Sequence, residues 1–382
     1  MSKWPSVPLS EVASPIERPE VPVPGKPYRQ VGVRLWGEGA YERELLDGGE
    51  TKYKTLSRVE ADDIIVNKIW ARNGSVAVIP RSLEGGYVSG EFPTFTPTSE
   101  KLEPRWFHWL TKRPYFWEQC DEKSRGTSGK NRIKPERFLE IKIPLPPLPE
   151  QQRIVARIES LAAKIEEARG LREKVQKDLS RLLNAAYHQI ADKAPRKPLG
   201  ELAPLDRRPV TVDFETNYPQ VAVRSFGRGT FHKPLLIGSE VTWEKPFLVK
   251  AGDILVSNIK AWEGAIAVAG ADDDGRVGSH RYLTCVAKPG IATAQFVCFH
   301  LLTSEGLYEV GEASPGSADR NRTLSAKAFM QIPVPMPDHE KQLWFDALYQ
   351  KVNSIAKTQS ESSPELAALL PSILDQAFKG EL

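Results

Sequence analysis

"DIIVNKIWARNGSVAV" occupies residues 63–78 and "DILVSNIKAWEGAIAV" occupies residues 253–268, and eight of the sixteen positions are identical. The same shift of 190 residues aligns "PLSEV" (8–12) with "PLGEL" (198–202) and Arg18-Pro19 with Arg208-Pro209. It also aligns "YRQVGVRLWGEG" (28–39) with "YPQVAVRSFGRG" (218–229), with seven identities in twelve. Ser89 falls on Ser279 and Asn131-Arg132 on Asn321-Arg322, and one residue of slippage brings "IPLP" (143–146) onto "IPVP" (332–335). Chance likeness between short strands does not hold register over such a length. The period is a whole domain, not the roughly 20–50 residues of a solenoid, so the chain reads as a tandem duplication.

Each repeat has a globular part and a helical part. The spans 1–148 and 195–337 are rich in Val, Ile, Thr, aromatics, Gly and Pro, and short apolar runs such as "IIVNKI", "SVAVI", "ILVSNI" and "AIAVA" read as strands of a twisted sheet. "PRWFHWLTKRPYFWEQC" (104–120) and "TAQFVCFHLLTSEGLYEV" (293–310) read as short helices docked on that sheet. The expected fold class is therefore α+β, with two similar globular domains.

The spans 149–194 and 338–382 are helical. From Ile154, steps of four and three land on Ile158, Leu161, Ile165, Ala168, Arg172, Val175, Leu179, Leu182 and Ala186, of which only Arg172 is polar. A seven-residue apolar repeat sustained this long predicts a coiled-coil seam, on a rod of about 60 Å. Pro149 supplies a helix start. At the C-terminal end Leu343, Ala347, Val352 and Ile355 suggest one stripe, and Leu366, Leu369, Leu370, Ile373, Ala377 and Phe378 another. "SESSP" (360–364) marks a break, with Ser362 or Ser363 placed to cap a restart at Pro364, and Pro371 is expected to kink the restarted helix. Two amphipathic rods most simply bury their stripes against each other, in an antiparallel coiled coil; the alternative is that each packs only on its own domain.

The totals set bounds. Length of 382 residues predicts two or three domains, and 40% apolar with 26% charged residues is ordinary for a globular protein. No apolar run approaches a membrane span, and the start "MSKWPSVPLSEV" shows no secretory signal. Three scattered cysteines, Cys120, Cys285 and Cys298, speak against a disulfide framework or paired-cysteine metal site and fit a reducing, cytoplasmic setting. A net charge of +3 permits a polyanionic partner without requiring one. Reaction-centre motifs are missing: no dinucleotide glycine fingerprint, no nucleophile elbow, no zinc-ligand spacing. "RGTSGKNR" (125–132) has the wrong spacing for a phosphate loop and places Asn131 where a hydroxyl belongs. No catalytic residue, metal ligand or cofactor site is expected, and the chain reads as a reader or scaffold.

Four stretches per repeat combine hydrogen-bonding side chains with Gly or aromatic neighbours: Arg34 and Trp36 with Arg224; Asn67, Lys68 and Arg72 with Asn258, Lys260 and Trp262; Ser89 with Ser279, His280 and Arg281. The fourth is Arg125, Thr127, Ser128, Lys130, Asn131 and Arg132 with Ser317, Arg320, Asn321 and Arg322, a Gly-containing basic loop. Lys and Arg neutralise phosphates, and Arg, Asn and Gln pair with base edges, so all are DNA-contact candidates. Charged positions differ between repeats (Lys68 against Asn258, Arg72 against Trp262, Glu91 against Arg281) while the apolar frame stays, which suggests one platform tuned to two targets.

"IPLPPLPEQQRIVARIESL" (143–161), "IPVPMPDHEKQ" (332–342) and "SILDQAFKGEL" (372–382), together with the duplicated strand–turn segment, resemble the specificity subunits of type I restriction–modification systems over nearly the whole chain. The resemblance implies two target recognition domains, each reading half of a bipartite double-stranded DNA target. It implies prokaryotic origin, two methyltransferase subunits docking on the helices and restriction (helicase-nuclease) subunits beyond them. S-adenosylmethionine, ATP and Mg would belong to those partners, with none in this chain. The helical residues expected to serve pairing or docking are Ile154, Ile158, Leu161, Ile165, Val175, Leu179, Leu182, Leu343, Val352, Leu370, Ile373 and Phe378. Three alternatives stay open: a specificity subunit of a system with fused restriction and methylation, a coiled-coil scaffold that binds proteins, or a self-contained enzyme with a cryptic site.

Overall fold

The computed structural model describes residues 3–124, 131–241, 245–316 and 322–382. It divides into two compact units, Met1–Arg172 with Glu361–Leu382, and Glu173–Ser360. One helix, Leu148–Ala191, runs through both.

In the first unit, the strand Pro27–Val33 pairs antiparallel with Ala40–Asp47 and parallel, through Gln30 and Tyr87, with Tyr87–Val88. Leu56–Arg58 and Pro19–Glu20 complete this five-stranded sheet. A four-stranded sheet carries Ala13–Ile16, Thr94–Pro97, Ile64–Val66 and Val76–Val78. Ile64–Val66 and Val76–Val78 are buried at every position, as a continuous apolar run requires. Where one twisted sheet was expected there are two, plus a ribbon pairing Ser6–Pro8 with Lys142–Pro144. The 104–120 stretch forms two helices, Pro104–Leu110 and Pro114–Ser124, and Trp106, Phe107, Phe116 and Phe138 fill the core beneath them.

The second unit repeats this plan. Asn217–Val223 pairs with Thr230–Ile237, with a bulge between Tyr218 and Gln220 matching the one between Arg29 and Val31. Ile254–Ser257 lies between Ile266–Val268 and Tyr282–Cys285. Isolated bridges Leu205–Cys285 and Pro209–Phe247 stand where the first unit has longer edge strands. The 293–310 stretch becomes Ala294–Leu302 and Ser304–Glu312.

Two polar anchors recur. Arg18 donates two bonds to Asp63 (2.6 and 3.3 Å) and Arg208 two to Asp253 (2.6 and 3.2 Å), with both carboxylates buried. Gln151 and Gln342, fully buried at the start of their helices, each make three bonds. Gln151 accepts from the Glu103 amide and donates to the Lys101 and Pro146 carbonyls. Gln342 accepts from the Thr293 amide and donates to the Ile291 and Pro337 carbonyls.

The helices pair antiparallel. In the first unit Ile154, Val155 and Ile158 pack with Leu370, Ile373, Leu374 and Phe378 of the terminal helix Ser363–Lys379. Further along, Arg172 donates to the Ser362 carbonyl (3.3 Å) and hydroxyl (2.9 Å), which satisfies the one polar seam position. In the second unit Leu183, Ala186 and Tyr187 pack with Phe345 and Val352 of His339–Glu361. The break in the C-terminal rod falls at Ser362, a single non-helical residue without a side-chain cap bond, and the helix continues through Pro371.

The phase of the seam needs correction. Ile154, Ile158 and Ile165 are buried and Leu161 and Leu179 half-buried, but Val175 and Leu182 are exposed and Leu183 is buried in place of Leu182. Leu343 and Ile355 are also exposed, while Phe345 and Val352 face the core. A helix of 3.6 residues per turn drifts about 20° per heptad against a strict seven-residue count, so the stripe advances by four where the count steps by three.

Candidate nucleic-acid interface

Three of the four sequence-selected stretches meet in the first unit at the end of the strand Ile64–Val66. The Asn67 side-chain oxygen accepts from the amides of Ile69 (3.0 Å) and Trp70 (3.3 Å), folding the chain back into a 3-10 turn, Ala71–Asn73. The Lys68 amide donates to the Glu91 carbonyl (3.0 Å), and the Ile133 amide to the Lys68 carbonyl (2.9 Å). Lys68 Nζ reaches the Gly90 carbonyl at 2.6 Å, and Arg132 pairs with Glu91 at 3.1 Å. The Ser89 hydroxyl accepts, at 3.5 Å, from the Glu91 amide, so Ser89 shapes its own turn. Beside this lies a cleft of about 210 Å³ whose walls include Arg43, Tyr53, Asn67, Trp70, Ser89 and Glu91. Arg43 and Tyr53 were not selected from the sequence, because nothing in their spacing ties the outer strand to the turn.

The second unit keeps the backbone lattice and changes the side chains. Asn258 donates its amide to the Arg281 carbonyl (2.8 Å), and the Leu324 amide donates to the Asn258 carbonyl (2.7 Å). Ser279 accepts from the Arg281 amide (3.4 Å), as Ser89 does in the first unit. Trp262 is flanked by Lys260 (5.3 Å) and Arg322 (5.1 Å), and Arg322 is held by the Ser314 and Gly311 carbonyls. Arg207 donates to the His280 carbonyl at 2.9 Å. Among the described residues the Asn258 side-chain oxygen is buried without a partner, a polar group whose desolvation a ligand donor would offset.

The remaining stretch is a hairpin tip joined to the turn. Trp36 and Gly37 donate their amides to the Asn73 and Gly74 carbonyls (2.7 and 2.9 Å), and Phe226 and Gly227 donate theirs to Glu263 and Gly264 (2.7 and 2.8 Å). Gly74, at φ 73°, has no room for a side chain: a Cβ would lie 2.6 Å from the Trp117 ring nitrogen and 2.9 Å from Trp36 Cα. Trp36 and Phe226 themselves adopt positive φ, 57° and 63°, a conformation costing about 1–3 kcal/mol for a bulky residue. Asn131 is half-buried at the edge of this region. Arg125, Thr127, Ser128, Lys130, Ser317, Arg320 and Asn321 lie outside the described residues. Among the described residues there is no cluster of metal-ligating side chains and no helix long and apolar enough to cross a membrane.

The architecture defines a class: a duplicated α+β platform carried on paired antiparallel helices. Residues 1–177 match the family model described as the type I restriction modification DNA specificity domain. Its similarity to the EcoEI type I restriction enzyme specificity subunit of Escherichia coli is 29% identity over 166 residues, 41% of this chain and 27% of that protein. The chain thus covers about a quarter of that curated relative's length. Its fold is similar over 99% of its length to the HsdS subunit from Thermoanaerobacter tengcongensis, with TM-score 0.63, 23% identity and 97% of that chain covered. A chain from a structure of complex assembly and conformational transition of the type I R-M system gives TM-score 0.65, 20% identity and coverage of 99% and 98%.

Proposed function

We propose that this chain is the sequence-specific DNA-binding subunit of a type I restriction–modification complex, each repeat reading one half of a bipartite target. The observation that carries the reading is the strand–turn region, which has one backbone lattice in two copies and different polar side chains on it. Phosphate contacts position a protein, and base-edge contacts specify the sequence; a duplicated frame with diverged side chains suits two different half-sites. Lys68, Arg72 and Glu91 in one repeat, and Asn258, Trp262 and Arg281 in the other, are the proposed reading positions. The chain itself carries out no bond-making in this reading. Methyltransferase subunits would dock on the helices, whose exposed apolar residues Leu171, Val175 and Leu182 recur at positions that share one helical face. Cleavage would fall to restriction subunits, and S-adenosylmethionine, ATP and Mg to those partners.

The test is selection of binders from a randomised duplex pool by the full chain, alone and with its modification partner. The expected product is a two-part motif with a fixed gap. Grafting Lys68→Asn, Arg72→Trp and Glu91→Arg into the first repeat should alter one half of the motif and leave the other intact. Deleting one heptad from 154–186 should change the gap or abolish selection. A pool without enrichment, or a protein-only interaction insensitive to salt, would favour the scaffold reading.

A further inference from the structure

Two surfaces of each repeat behave differently. At the strand–turn, residue type and charge change between copies. At the hairpin tip Leu35 gives way to Ser225 and Glu38 to Arg228, but the arginine and the aromatic ring two residues on are kept. The Arg34 guanidinium lies 4.8 Å from the centre of the Tyr41 ring, and that of Arg224 lies 4.9 Å from the centre of the Phe231 ring. Two residues on, Trp36 and Phe226 stand in the left-handed region and are 51% and 69% exposed. A conformation that bulky side chains avoid is thus kept twice on rings that stand largely in solvent, Trp36 meeting the Trp117 ring edge-on at 5.3 Å. Both tips are fastened by the same two backbone bonds to the turn bearing Arg72 or Trp262.

From this constancy we infer that the Arg34–Trp36 and Arg224–Phe226 tips are the sequence-independent grip of each repeat on DNA, the guanidinium engaging a phosphate and the ring packing on sugar or an accessible base face. The inference rests on the DNA-binding reading above and divides its labour. Half-sites differ in sequence but share a backbone, so side chains that touch the common part have no reason to diverge. An Arg laid against an aromatic ring is pre-organised, and its fork matches phosphate. An aromatic face packs on any base.

The experiment measures binding of the full chain to a mixed-sequence duplex over a salt series, and repeats the randomised selection. Arg34→Ala and Arg224→Ala should each lower the salt slope by about 1. Each should weaken selected and mixed duplexes by the same factor and leave the enriched motif unchanged. Phe226→Gly relieves the positive φ, so thermal stability should hold while affinity falls about 5-fold or more. A changed motif in any of these variants, or unchanged affinity and slope, overturns the inference. So does loss of a protein partner with DNA binding intact, which would make the tip a protein-docking surface. Wild-type protein that binds no duplex would instead sink the DNA-binding reading itself, and this inference with it.

Discussion

The two helix–domain junctions close the same space with different chemistry. In the second unit Tyr187 packs on Phe296 at 5.5 Å and shares a 2.7 Å hydrogen bond with His300 Nδ1, beside the Arg196–Glu305 ion pair. In the first unit the corresponding ring, Phe378, packs on Trp106 at 4.4 Å. Leu110 stands where the second unit has His300, and Arg113 reaches Asp375 at 2.9 Å. A cavity of about 530 Å³ remains there, lined by Trp4, Leu110, Arg113, Tyr115, Pro144 and Phe378. The ring-on-ring contact is what the two junctions share, and the polar closure is a local solution. The framework therefore depends on a few recurring contacts and tolerates wide change around them.

The largest test of that statement lies in the buried carboxylates. Removing the arginine leaves a buried charge unpaired, at about 3–5 kcal/mol. Asp63 keeps bonds from the Glu60 amide and Thr96 hydroxyl, whereas Asp253 keeps that from the Lys250 amide. Arg208→Ala should therefore cost more than Arg18→Ala in denaturant unfolding, and equal losses would show that the spare bonds are worthless. Next come the glutamines. Gln151→Leu and Gln342→Leu each strand one amide and two carbonyls, so each should lose about 3 kcal/mol. A loss confined to one unit would break the equivalence of the two anchors.

The smallest effect sharpens the junction comparison. Burial pushes His300 from 6.5 down to about 4, so the native second unit holds it neutral. Its contribution to stability is present above about 6.5 and is lost as pH falls toward about 4, because the unfolded chain takes up the proton first. Asp346 in the same unit runs the other way: burial raises it to about 6, so its contribution is present below 3.8 and lost as pH rises through about 6. The double variant His300→Leu, Tyr187→Phe copies the first unit's chemistry. It should reduce the acid-side loss by about 2 kcal/mol, read from unfolding at pH 6.5 and 4. An unchanged pH profile would remove His300 from the account.

Much of this was legible in the residues. The 190-residue register, the two helical spans, the break near Ser362 and the burial of Ile154 and Ile158 all arise from patterns that local physics enforces. The phase of the seam was not legible, because a seven-residue count and a 3.6-residue helix part company over 30 residues, and Leu182 and Leu183 are indistinguishable by composition. Gln151 and Gln342 escaped notice because a buried glutamine looks like a surface one until its three partners are in place. Arg18 and Arg208 stood out as repeated, but Asp63 and Asp253, 45 residues on, became their partners only in the fold. In the candidate interface the clustering of Asn67, Lys68, Ser89 and Arg132 needed the backbone lattice, since their separations in sequence carry no sign of proximity.

Cys120 lies in the first unit, Cys285 and Cys298 in the second, and all three are buried free thiols. Burial pushes Cys285 and Cys298 up to about 12 and Cys120 higher still. Alkylating reagents attack the thiolate, so the native chain should be nearly inert to them at neutral pH. Each unit thus carries a built-in reporter of its own opening: a pulse of iodoacetamide followed by intact mass would register one adduct when the first unit loosens and two when the second does.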